Sequence, residues 1–325
     1  MTTDRPVRHW PGRTVDLGGG EQVYLAQPPW SADGGRGGRG GRDLVLCIHG
    51  MSGAATNWTD LMAELAPDFD CAAVDLPGSG FSVPPARRSG YSVRALAATV
   101  IRLIEALDRG PVHLMGNSMG GAVSIRIAAS RPDLVKTLTL VSPVLPDRRP
   151  HRATAHFPIL TLPYVGAALA RRWALVPAES RVAGVYSTCF YDPAAVHPDR
   201  FAQEVAALRR RDELGYEAAS LVGAARTLVA ETLAPRWLSL WRAAERIQAP
   251  TLVLFGSHDR LVSPALAVPA ARAFKHAQIE VLSHIGHIGQ MERPDLVAAR
   301  FREMVGRTGM PGGGTRLTPD ELTST

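Results

Sequence analysis

Val112-His113-Leu114-Met115-Gly116-Asn117-Ser118-Met119-Gly120-Gly121 sets a serine between a short apolar run and an alanine-rich segment, Ala122-Val123-Ser124-Ile125-Arg126-Ile127-Ala128-Ala129-Ser130. The first run, bounded by Pro111, reads as a strand; the second has apolar residues at helical spacing and stops at Pro132. Strand, sharp turn and helix therefore surround a Gly-x-Ser-x-Gly pentapeptide. Glycine at 116 and 120 allows a turn tight enough to hold Ser118 in a strained backbone conformation, its hydroxyl projecting from the turn. A serine hydroxyl is too weak an acid to attack a carbonyl unaided, so this reading requires a histidine base and an acidic group elsewhere in the chain.

Outward from the turn, Leu44-Val45-Leu46-Cys47-Ile48 is apolar on both faces, as in a central parallel strand. Cys71 to Val74, Leu138 to Val141, Thr251 to Phe255 and Ile279 to Leu282 repeat the type. Helical patterns at 57–65, 93–107 and after Ser118 separate several of them. This alternation predicts an α/β fold with a doubly wound, mostly parallel sheet. Ligands bind such sheets beyond the carboxyl ends of the strands, where His49-Gly50-Met51, Ser118, Asp259 and His287 all fall. The strand rhythm stops after Pro143, and residues 146–245 read as an inserted helical cap. Residues 1–145 and 246–305 are expected to form the core, with a flexible Gly/Arg loop at 34–42 and a disordered tail at 306–325.

Four motifs together resemble the serine-type α/β-hydrolases with a helical cap, over approximately residues 20–305. His49-Gly50-Met51 is similar to their oxyanion loop, and Asp75-Leu76-Pro77-Gly78-Ser79-Gly80-Phe81-Ser82 to the signature after the fourth strand. Gly116 to Gly120 resembles the nucleophile elbow, and Gly286-His287-Ile288-Gly289-Gln290-Met291-Glu292-Arg293-Pro294 the histidine loop. The resemblance implies Ser118 as nucleophile, His287 as base and Asp259 as the acid that orients it. Backbone N–H groups of Met51 and Met119 would form the oxyanion hole, the latter at a helix N-terminus. Asp147 is a lower-ranked acid, and His284 and His258 are lower-ranked bases. Asn117 is similar to the elbow residue of carbon–carbon bond hydrolases, but Ile288 stands where those enzymes carry tryptophan. The expected reaction is cleavage of a carboxylic ester of an apolar small or medium-sized substrate through an acyl-enzyme. Ring-fission carbon–carbon hydrolysis, cofactor-free perhydrolysis and a catalytically silent binding protein are the alternatives.

The reaction needs no cofactor and no metal, and the spacing of His284 and His287 lacks a zinc context. Across 325 residues, 46% hydrophobic and 20% charged, no apolar run is long enough for a membrane span, so no stable membrane insertion is expected. The uncharged stretch from Phe157 to Ala170 is interrupted by prolines and reads as pocket lining or cap packing, as do Trp237 and Trp241. The net charge of +6 comes from scattered arginines, with Lys136 and Lys275 the only lysines, and one short Gly/Arg copy does not make a nucleic-acid footprint. The first residues lack the apolar core of a secretory signal, and Cys47, Cys71 and Cys189 lack metal-type spacing, giving a cytoplasmic expectation. Nothing in the sequence sets an oligomeric state.

Overall fold

The computed structural model describes residues 7–28, 41–147, 154 and 157–308. Eight strands form one sheet: β1 (Gly12–Asp16), β2 (Gln22–Ala26), β3 (Leu44–Ile48), β4 (Asp70–Val74), β5 (Val112–Asn117), β6 (Val135–Val141), β7 (Thr251–Gly256) and β8 (Ala277–Leu282). Their spatial order is β1-β2-β4-β3-β5-β6-β7-β8. The β1–β2 hairpin pairs antiparallel at one edge, and every pairing from β4 to β8 is parallel. The chain runs from β3 outward to β4 and then returns to β5 on the other side of β3. The strand order therefore reverses between β3 and β5, which opens a crevice at their carboxyl ends. His49-Gly50-Met51 leaves β3 there, and Ser118 leaves β5 there.

Among the described residues, twelve α-helices accompany the sheet. They are α1 (Thr59–Leu65), α2 (Val93–Leu107), α3 (Met119–Ser130), α4 (Phe157–Thr161), α5 (Val165–Ala174), α6 (Ala178–Cys189), α7 (Pro198–Asp212), α8 (Glu217–Leu233), α9 (Leu240–Ala244), α10 (Ala267–Ala273), α11 (Gly289–Glu292) and α12 (Pro294–Thr308). β3 shows why both faces need cover. Leu44, Leu46 and Ile48 enter one core with residues of α2, α3, α9 and α10, while Val45 and Cys47 enter a second with residues of α1 and α12. Period-two alternation with apolar residues on both sides is what a strand sandwiched between helix layers requires.

Helices α4 to α9 lie within the stretch expected as the insertion, 146–245. Leu240, Ala243 and Ala244 of α9 are fully buried in the main core, where Ala224 and Leu228 of α8 also pack. The short apolar face of α9 was hidden in a stretch without strand rhythm. The amino-terminal segment, assigned to the core, also ties down the insertion: buried Arg200 of α7 donates to the Val7 carbonyl (2.8 Å) and pairs with Asp60 of α1. Trp241 donates its ring N–H to the Pro146 carbonyl (2.9 Å), whereas Trp237 is exposed. Of the tail expected at 306–325, Gly306 to Thr308 complete α12; 309–325 lie outside the described residues, as does 34–40 of the Gly/Arg stretch.

Candidate active site

Ser118 has φ 54° and ψ −117°, neither strand nor helix, and stands as N-cap of α3. The conformation is strained for a residue with a side chain and is kept because the surroundings over-determine it. The Ser118 N–H donates to the Val141 carbonyl (3.1 Å), and its own carbonyl accepts from Val144 (3.0 Å) and Ala122 (3.2 Å). Gly120 is required by packing: a Cβ there would collide with the Ile48 carbonyl oxygen where α3 crosses the end of β3. The turn thus fixes α3 against the very strand that delivers the oxyanion loop.

His287 and Asp259 come together. The imidazole Nδ1 lies 2.8 Å from Asp259 Oδ2, and both side chains are almost wholly buried. Oδ1 of the same carboxylate accepts from the backbone N–H groups of Leu261 (2.8 Å) and Val262 (2.9 Å). Burial alone would raise the Asp259 pKa, but the adjacent His287 ring and those two amides outweigh it and hold the carboxyl below the usual range. An ionised Asp259 requires the proton on Nδ1, which leaves Nε2 as the nitrogen that can accept one. Ser118 and His287 line one cavity of about 630 Å³, without a hydrogen bond between their side chains in this unliganded geometry.

Asn117 is a positioning residue that sequence reasoning missed, having treated it only as a hint about the reaction. Its amide donates to the carbonyls of Val141 (3.0 Å) and His287 (3.1 Å), tying the elbow directly to the histidine loop. The His287 N–H donates to the Cys189 carbonyl at the end of α6 (2.6 Å). Glu292 accepts from Gly286 and Tyr191, both at 2.8 Å, and burial raises its pKa despite those two amides. The histidine loop is therefore fastened to the elbow on one side and to the helical insertion on the other.

The remaining two motifs pack against each other at the carboxyl end of β3. His49 is fully buried, with Nδ1 donating to the Gly50 carbonyl (2.7 Å) and Nε2 accepting from the Leu76 N–H (3.0 Å). Desolvation lowers its pKa to about 4, so the ring is neutral at physiological pH. Asp75 accepts from Ala55 (2.7 Å) and Phe81 (2.8 Å), and burial raises its pKa to about 6 against those two hydrogen bonds. Gly80, at φ +53°, lies so close to this carboxyl that a Cβ would overlap it. The signature after β4 thus serves as a brace for the loop that carries Met51. Among the described residues, neither the Met51 nor the Met119 N–H donates to another protein atom, and Met119 opens α3, where amides lack intrahelical acceptors.

The lower-ranked residues lie elsewhere. His284, at φ 57°, stacks on His258 with ring centroids 5.7 Å apart, and Tyr191 packs against both. Among the described residues the imidazole hydrogen-bonded to Asp259 is that of His287, whereas His258 Nδ1 lies 2.8 Å from Ser257 Oγ. Among the described residues there is no cluster of three or more His, Cys, Asp or Glu that could hold a metal ion. No helix among them is long and apolar enough to cross a membrane.

The cavity lies between the sheet edge and the insertion. Phe157, Leu160, Trp173, Leu208, Leu221 and Leu228 give it an apolar wall, as expected for the stretch from Phe157 to Ala170. Its charges are matched in part: Arg181 pairs with Asp212 and with Glu217 (3.1 Å) inside the insertion, and Glu204 faces His9 of the amino-terminal segment at 3.3 Å.

A family model described as alpha/beta hydrolase fold matches residues 43–294. A pyrrolizixenacetamide deacetylase of Xenorhabdus hominickii is 30% identical over 258 residues, 78% of this chain and 87% of that protein. A dihydrolipoyllysine-residue acetyltransferase component of an acetoin cleaving system from Pseudomonas putida is 36% identical over 146 residues, and that match spans only 43% of this chain and 39% of the relative. Among solved structures, 2-hydroxy-6-oxo-6-phenylhexa-2,4-dienoate hydrolase from Rhodococcus sp. strain RHA1 superimposes with a TM-score of 0.72 at 20% identity, covering 92% of this chain and 100% of that one.

Proposed function

Because the chain belongs to the alpha/beta hydrolase fold family and is a hydrolase, we propose that it cleaves a carboxylic ester of an apolar small or medium-sized substrate through an acyl-enzyme on Ser118. The observation that carries this reading is the 2.8 Å contact between His287 and buried Asp259 in the wall of the cavity that holds Ser118. Ser118 Oγ adds to the ester carbonyl while its proton passes to His287 Nε2. The charge that develops on the carbonyl oxygen is met by the Met51 and Met119 amides, each such donor being worth roughly 3 kcal/mol of barrier. Collapse breaks the bond to the alcohol, which leaves with the proton from His287. Water then adds to the acyl group by the same route in reverse. Asp259 stabilises the imidazolium at each stage.

One feature supports an apolar substrate: the aliphatic and aromatic cavity wall. The deacetylase relative favours an acetamide as a second reading on the same three residues. A panel of p-nitrophenyl esters of two to twelve carbons, matched acetanilides and a ring-fission dienone tests the assignment. Ester turnover with a chain-length optimum, abolished in Ser118→Ala, is the expected result. Turnover of the amide or dienone without ester turnover would replace ester cleavage by one of the other readings, and ester turnover unchanged in Ser118→Ala would remove the serine.

A further inference from the structure

Residues 157–178 hold two arginines and no aspartate or glutamate. They include α4 and α5, and expose several apolar side chains. Tyr164 is 90% exposed and Leu175 84%, while Ile159, Leu162, Leu169 and Trp173 are between 42% and 48% exposed. The two helices are in close contact, since a Cβ on Gly166 would collide with the Leu160 carbonyl, and the exposed side chains of α5 lie away from its buried Gly166 and Ala170. Arg171 and Arg172 stand exposed in the last turn of α5 and pair with no carboxylate of the described residues. Arg226 of α8 reaches the Thr161 carbonyl beside them (3.4 Å). An exposed apolar surface of this kind marks an interaction site.

We propose that α4 and α5 dock this protein on an anionic lipid surface, lying in the headgroup region without crossing the bilayer. The composition decides the occupant. Aromatic and aliphatic residues free of acids, with Arg171 and Arg172 together in the last turn, suit a helix that buries apolar side chains among acyl chains while its guanidinium groups meet lipid phosphates. A second copy of this chain is the poorer fit, because an isologous contact would set the arginines of one copy against those of the other. The surface also borders the cavity: Leu169 and Trp173 are exposed and line the cavity that holds Ser118. An apolar substrate dissolved in the lipid therefore has a path to the serine that avoids bulk water. The docking itself does not depend on the chemistry at Ser118.

Sedimentation of the full chain with vesicles of phosphatidylcholine alone, and of phosphatidylcholine with one quarter phosphatidylglycerol, tests the proposal at about 0.1 M salt. The protein should partition at least tenfold more strongly onto the anionic vesicles and come off at 1 M salt. Arg171→Gln/Arg172→Gln should weaken that partition roughly thirty-fold, about fivefold for each basic group at an anionic leaflet. Tyr164→Ser/Leu175→Ser, two fully accessible positions with little packing to lose, should weaken it on both vesicle types. No partition onto anionic vesicles, or partition that neither double variant alters, would overturn the proposal. So would a dimer in sedimentation velocity that Tyr164→Ser/Leu175→Ser dissociates, since a second copy would then occupy the surface.

Discussion

His49 shows how a residue beside the candidate site acts through structure alone. Its ring is neutral because it is wholly buried, with both nitrogens committed to backbone partners. The folded pKa of about 4 lies below the ordinary value of 6.5, so the unfolded chain takes up a proton first as pH falls. The stability this confers is complete above pH 6.5 and is lost as pH falls through about 4, an integrated loss of about 3 kcal/mol. Asp75, raised to about 6, slopes the opposite way over much of that window and masks the effect in the native protein. The clean observable is the difference between wild type and His49→Gln in urea unfolding, which should shrink by about 3 kcal/mol from pH 7 to pH 4; parallel profiles would contradict the assignment. Asn117 acts on geometry instead. Removing its amide frees the His287 carbonyl from the elbow, so Asn117→Ala should lower kcat ~10- to 100-fold with KM little changed and the acid limb of the pH profile moved. A change confined to KM would make Asn117 a substrate contact.

At the scale of elements, the strand, elbow and helix around Ser118 were legible because each carried its own local signal. The apolar run, the two glycines and Pro132 mark β5, the turn and the end of α3. The roles of His49 and Asp75 were not legible in the same way: their motifs pointed to the oxyanion loop, but the brace they form joins residues 20 and 27 positions apart. α9 was missed because five helical residues show too little periodicity to stand out from the insertion around them. Long-range contacts also decide how the insertion is held. Arg200 is nearly buried and joins α7 to Asp60 of α1 and to the Val7 carbonyl. Arg200→Ala leaves a partly buried Asp60 without its cation, and a loss of about 3 kcal/mol in chemical denaturation is expected. A loss below about 0.5 kcal/mol would show that the insertion is seated by apolar packing alone.

For the whole molecule, the sheet positions chemistry from distant parts of the chain at one edge. The switch point between β3 and β5 sets the loop with Gly50 and Met51 beside Ser118, and the loops after β7 and β8 bring Asp259 and His287 to the same edge. The fold class and this convergence could be read from the order of apolar runs and motifs. The cavity's shape could not, since helices α4 to α8 lack any register to a sheet and their arrangement follows from side-chain packing. Ser118 lies in that cavity of about 630 Å³. Leu221 lies in its wall, and Leu221→Trp should move the chain-length optimum toward shorter acyl groups while leaving p-nitrophenyl acetate turnover within a factor of about two. An unchanged optimum would place the acyl chain elsewhere.

The central claim is that Ser118 alone, among the serines of this chain, is activated by the His287–Asp259 pair. Intact-protein mass spectrometry after treatment with a fluorophosphonate, followed by peptide mapping, tests it most directly. One adduct per chain on Ser118, absent in Ser118→Ala and slowed at least a thousandfold in His287→Ala, is the predicted result. An adduct on a different serine, or labelling of Ser118 at the wild-type rate without His287, would contradict the account.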